Sequence, residues 1–244
     1  MDNSDLDLQL LSKDPIFAAG VPVYPVSLRE IAKIGYQQYS RVLGYLCITK
    51  EKIQEAFGDE YDIDPLTFLL SIAQSEELKG DLVSVLKLIC HCIPEFDAEN
   101  KCIRIGEASI DEESLRSFRD IVRARNGIDG NSEEEDENPA NERARQLLEL
   151  RRKLRKKVKD RKAQANMDDG ENSLSMADLV SILAAGLHLT VFDVMEYDLY
   201  QFNDQFHRLK IFDDYQVSIQ SLLHGAKKED VNLKHWLSKI ETEK

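Results

Sequence analysis

No stretch of this chain approaches the roughly 18 consecutive apolar residues that a membrane-spanning helix needs, so no such helix is expected. The first fourteen residues are rich in Asp and lack the basic start of a secretory signal, which points to a protein that stays inside the cell that makes it. Also missing are a glycine-rich phosphate loop, an HExxH pair, a GxSxG elbow and a paired CxxC. With them goes every local signature of catalysis, and the chain reads as a binding protein, not an enzyme. Only four cysteines occur, Cys47, Cys90, Cys92 and Cys102, and in an unexported chain they are expected to be reduced. Cys90, His91 and Cys92 sit together, but residues two apart on a helix point in different directions. They read as buried thiols; no metal and no cofactor is expected.

The five histidines, His91, His188, His207, His224 and His235, fall mostly within helical patterns, where a lone histidine is more often a partly buried or surface residue than a base. The close acid pairs Asp62/Asp64 and Asp213/Asp214 are explained by helix starts and solvated faces. The formal net charge of -13 disfavours nonspecific attraction to nucleic acid or to an anionic membrane.

What is present is helix. The chain has 244 residues, 42% of them hydrophobic, enough for one large core or two small ones. After an extended stretch with Pro22 and Pro25, Ser27 and Glu30 have the spacing of a capping box. The helix that follows carries Leu28, Ile31, Ile34, Tyr39, Val42, Leu43 and Leu46 at helical spacing. Asp64 and Pro65 start another helix as N-cap and first residue. A further apolar helix runs to Cys92 and stops before Pro94. Ile93, Phe96 and residues 102–105 alternate around a polar turn at 98–100, which predicts a small β-hairpin. A helix through Leu115, Phe118, Ile121 and Val122 then ends near Asn126-Gly127.

The composition changes abruptly at residue 127. Glycines and a run of acids at 133–137 lead into Pro139 and a very polar helix. Within it, residues 151–162 hold nine basic residues and one Asp, a local charge of +8 that leaves the remainder at -21. Three readings of this run stay open: a solvated linker helix, a docking surface for an acidic partner, and a nucleic-acid contact. It contains no aromatic side chain to stack on bases, which makes nucleic acid the weakest of the three. Helical patterns resume near Ser175, with starts at Thr190/Asp193 and Asp198, a long segment to His224, and a last short helix at 230–240 with Trp236. The expected architecture is therefore mainly α: two helical lobes joined by a charged linker helix, with a small β-hairpin in the N-terminal lobe. Its parts are an N-terminal helical domain at 1–127, a linker at 128–172 and a C-terminal helical domain at 173–244.

The last lobe has more aromatic residues than a small core needs. Core packing explains most of them, and an exposed groove for an apolar helix explains an excess. The candidate partner-binding residues are Phe192, Tyr197, Tyr200, Phe206 and Trp236, with Tyr36 and Tyr39 from the first lobe.

The phrase Val23-Tyr24-Pro25-Val26-Ser27-Leu28-Arg29-Glu30-Ile31-Ala32-Lys33-Ile34-Gly35-Tyr36 resembles the opening of tail assembly chaperones from phages and prophages of Gram-positive hosts. Ser117-Phe118-Arg119-Asp120-Ile121-Val122, the stretch 187–200, and Asn232-Leu233-Lys234-His235-Trp236-Leu237-Ser238-Lys239-Ile240 are similar to that family too. The resemblance implies a protein of the bacterial cytoplasm that binds the long tape measure protein and keeps it soluble while the tail tube assembles around it. It implies the tape measure protein, the tail tube protein and a second copy of the chain as partners. The linker and second lobe resemble the long form that a translational frameshift produces in such phages. A structural or scaffold component of the phage particle, and a nucleic-acid-associated phage protein using residues 151–162, are the rival readings.

Overall fold

The computed structural model describes residues 3–58, 62–128, 174–225, 231 and 235–238. All but Ile128 of the expected linker at 128–172, with its polar helix and basic run, lies outside the described residues, as does most of the expected last helix at 230–240. Among the described residues the chain is mainly helical, with ten helices and five short strands. It divides into two compact units, one of Met1–Gly130 with Leu183–Lys244 and the other of Asn131–Ile182. The sequence reading set 173–244 apart as a domain; in the structure Leu183–Lys244 share a unit with Met1–Gly130.

The larger unit opens with α1 (Asn3–Leu10) and a hairpin of β1 (Ile16–Ala18) and β2 (Val21–Val23). Its turn residues Ala19 and Gly20 have φ of 50° and 78°, the left-handed pair whose twist matches that of paired strands. Three-residue strands are too short to show an alternating pattern in the sequence. The Ser27/Glu30 capping box forms, with the Ser27 amide donating to Glu30 Oε2 at 2.9 Å. It starts α2 (Leu28–Ile34), which stops where the sequence pattern continues. Gly35, at φ 94°, caps α2 and begins α3 (Tyr36–Leu46), so one expected helix becomes two.

Asp64 Oδ1 accepts from the Thr67 amide at 2.7 Å and starts α5 (Pro65–Ile72), which follows α4 (Lys50–Phe57). Next comes α6 (Glu76–Cys90). The expected hairpin is present as β3 (Pro94–Asp97) and β4 (Cys102–Ile105), and β5 (Ala108–Ile110) extends it to an antiparallel three-stranded sheet.

The helix that organises this unit is α7 (Glu112–Arg125), begun by an Asp111/Ser114 capping box. Leu115, Phe118 and Val122 are buried along it, and it packs against β1, β2, β5 and α5. It also buries arginines. Arg119 Nη1 donates to the Ile48 carbonyl at 2.9 Å. Arg125 Nη1 donates to the Leu10 and Ser12 carbonyls at 3.0 and 2.9 Å, and its Nη2 donates to the Asp14 carbonyl. A guanidinium out of water needs such acceptors, and here they fasten the loop between α1 and β1 to α7.

Two further helices complete the unit: α9 (Val191–Val194) and α10 (Leu199–Leu223), ahead of which α8 (Met176–Leu187) crosses the unit boundary. Of the second unit, residues 174–182 are described. They carry the start of α8, where the Ser175 amide donates to Asp178 Oδ2 at 2.8 Å.

Candidate functional site: the apolar surface of the C-terminal helices

Asp198 starts α10. Its Oδ1 accepts from the Gln201 amide at 2.8 Å, and the Gln201 side chain returns to the Asp198 amide. The helix has 25 residues, a length of about 37 Å. Of these, Leu199 and Phe202 are buried. Past them the helix carries further apolar side chains, among charged ones, that are only partly covered. Phe206 stacks on Phe202 with ring centroids 5.9 Å apart, and Leu209 packs so closely on Gly186 of α8 that a methyl there would lie 2.4 Å from Cδ2. Phe212 is 40% exposed, Val217 62% and Leu223 81%. The nine residues 215–223 include no charge. Such a surface, in water, is a place for another apolar side to land.

Residues 235–238 lie along the same helix. The Trp236 ring meets Phe212 edge-on at 6.0 Å, His235 faces Tyr215 at 5.0 Å, and Arg208 Nη1 donates to the Ser238 carbonyl at 2.8 Å. Trp236 remains 41% exposed and Leu237 67%. On α9 the Thr190/Asp193 capping box fixes the first turn and leaves Phe192 76% exposed.

The residues singled out from sequence therefore separate. Phe192 and Trp236 are exposed; Tyr197, Tyr200 and Phe206 are half-buried. Burial raises the Tyr200 phenol above its ordinary value. Tyr36 is 42% exposed at the start of α3. Tyr39 requires a correction: its side chain is wholly buried, its hydroxyl donates to Asn126 Oδ1 at 2.7 Å, and burial holds its phenol far above the usual range. A partner cannot touch it while the domain is folded. Sequence reasoning did not single out Val217, Leu223 and Leu237; the signal present was the uncharged run at 215–223.

Also unanticipated is a buried polar contact at the start of α10. Asp198 is 3% exposed and Arg125 2%, and Arg125 Nη1 lies 4.0 Å from Asp198 Oδ2. Beside it, a cleft of about 290 Å³ is lined by Leu11, Lys13, Glu196, Tyr197, Gln201 and Gln205.

Other features singled out from sequence serve the fold. Cys90 closes α6 with its thiol pushed up to about 12 by burial, and His91, at φ 54°, turns the chain out of the helix and stacks on Tyr24 at 3.8 Å. Among the described residues, no group of three or more His, Cys, Asp or Glu side chains is placed to hold a metal ion. No helix among them is long and apolar enough to cross a membrane.

No curated protein and no solved structure matches the chain. Residues 163–241, the span that contains α8, α9, α10 and residues 235–238, match the family described as YomV second domain, a phage-associated domain.

Proposed function

We propose that this protein is a phage tail assembly chaperone that binds the tape measure protein and keeps it soluble in the cytoplasm of the bacterial host while the tail tube forms. It acts by binding and not by catalysis, and its partners are the tape measure protein and the tail tube protein. The observation that carries this reading is the partly covered apolar surface of α10, which falls within the phage-associated stretch 163–241. The client of a tail chaperone is long and helical, so its apolar stripes match a helix that keeps Phe212, Val217 and Leu223 in water. The resemblance at residues 23–36 and 117–122 supports the same reading from the other end of the chain.

The test is co-expression with the tape measure protein of the same phage. The full chain should keep that client in the soluble fraction, and a triple variant Phe212→Ser, Val217→Ser, Leu223→Ser should leave it in the pellet while folding normally. A client equally soluble with and without the chain, or recovery of the chain in purified particles at fixed stoichiometry, would overturn the chaperone reading in favour of a structural component.

A further inference from the structure

The first turn of α2 is completed by a segment 166 to 169 residues away in sequence. The Leu28 amide donates to the Tyr197 carbonyl and the Arg29 amide to the Met195 carbonyl, each at 2.9 Å. A helix N-terminus leaves such donors free, and the chain just before α10 supplies their acceptors. Ser27 and Asp198 pair as an antiparallel bridge at the same place. Around it, Gln201 Nε2 donates to the Leu11 carbonyl at 3.0 Å, Arg29 meets Glu196 at 2.6 Å, and the Asn203 side chain fills the space beside Gly127.

We propose that residues 195–203 are a releasable clasp, held to α2 and α7 by polar contacts, whose local opening joins the buried Leu199 and Phe202 to the apolar surface of α10. Leu199, Phe202, Phe206 and Leu209 share one helix face at successive three- and four-residue spacings. With the clasp closed, Leu199 and Phe202 are buried, while Phe206 and Leu209 stay half-buried. Hydrogen bonds that exchange with water contribute little net stability each, so the polar part of this contact opens more readily than a packed core.

One group within the clasp opposes its closing. Asp198 Oδ2 is buried without a hydrogen-bond partner, and the nearest cation atom, on Arg125 of α7, is 4.0 Å away. The Asp198 charge acts on the phenols of Tyr39 of α3 and Tyr200 on its own helix, Glu30 acts on Tyr39, and Asp14 acts on Arg125. Burial, opposed by the Gln201 amide and Arg125, pushes the Asp198 carboxyl up to about 6. The closed clasp therefore holds the proton more tightly than the open one. Closing is strengthened as pH falls through about 6 towards the ordinary carboxylate value, and that gain is lost as pH rises above it.

The clasp does not depend on the chaperone reading. Hydrogen–deuterium exchange on the full chain tests it, with rates corrected for intrinsic exchange, at pH near 5 and near 7.5. The Leu28 and Arg29 amides should be about tenfold better protected at the lower pH, while Val122 in the core of α7 changes much less. Asp198→Asn keeps a side chain able to cap α10 and should make protection the same at both pH values. An Arg29→Cys, Glu196→Cys variant joined by a short bismaleimide should protect both amides throughout. Equal protection in the parent at the two pH values, an unchanged pH dependence in Asp198→Asn, or loss of Leu28 and Arg29 protection only together with Val122 would overturn the proposal.

Discussion

The Tyr39 hydroxyl donates to Asn126 Oδ1 at 2.7 Å, tying α3 to the end of α7 across 87 residues of sequence. Asn126 completes the link by donating from Nδ2 to the Val122 carbonyl at 2.7 Å. Tyr39→Phe leaves a buried acceptor without a donor and should cost about 1–3 kcal/mol, read from the urea midpoint. Tyr36→Ala, at an exposed position, should stay within about 0.5 kcal/mol. Equal effects of the two would mean that the Tyr39 bond contributes nothing.

Arg125 binds the carbonyls of Leu10, Ser12 and Asp14 and lies beside Asp198. Removing its charge in Arg125→Met leaves those acceptors and the carboxyl buried together. The expected loss is about 3–5 kcal/mol, measured by chemical denaturation, with residues 10–14 becoming the first site cut by protease under native conditions.

Gly186 and Leu209 fit as a small-to-large pair. Gly186→Ala gains helix propensity of up to about 1 kcal/mol but drives a methyl into Leu209. A net loss of about 1 kcal/mol is expected, since overpacking outweighs the gain. Combining it with Leu209→Ala should relieve the clash, so the double variant should fall short of additivity. Strict additivity would separate the two positions.

Phe192 and Leu223 are the most exposed large apolar side chains of α9 and α10. Alanine at either should leave the melting temperature within about 1 °C of the parent, as surface changes do. If they anchor a client, each should weaken its binding by about 2 kcal/mol, roughly thirtyfold in affinity by titration. Binding that survives both changes would place the anchors elsewhere on α10.

The basic run at 151–162 carries nine cations and no aromatic residue. DNA binding through it should be weak and should disappear by about 200 mM salt, as purely phosphate-driven contacts do. A filter-binding titration that shows tight, salt-resistant retention would revive the nucleic-acid reading.

The elements read correctly from sequence are those whose causes lie within a few residues. Ser27 with Glu30, Asp64 with Pro65, Thr190 with Asp193, and Asp198 each begin the helix they announce, because a cap joins a side chain to an amide two or three positions on. The helix of Leu115, Phe118 and Val122 and the β3–β4 hairpin follow from spacing alone. Of the candidate site, Phe192 and Trp236 were legible as aromatic excess, although their exposure was not.

Exposure depends on what other segments supply, and no local pattern records that. Tyr39 and Tyr36 look alike on one helix face, yet only Tyr39 finds Asn126 above it. Asp198 reads as an ordinary cap, and only the folded chain brings Arg125 to its other oxygen. The apolar residues of α10 continue past Leu199 and Phe202, but cover from Met1–Gly130 does not. The sequence determined by itself that these segments are helices, where they start, and how charge is distributed among them, since propensity, capping and composition are local. Tertiary structure alone decided which apolar side chains reach water and which polar ones are buried, because burial is a relation between residues as much as 190 positions apart, such as Gln201 and Leu11.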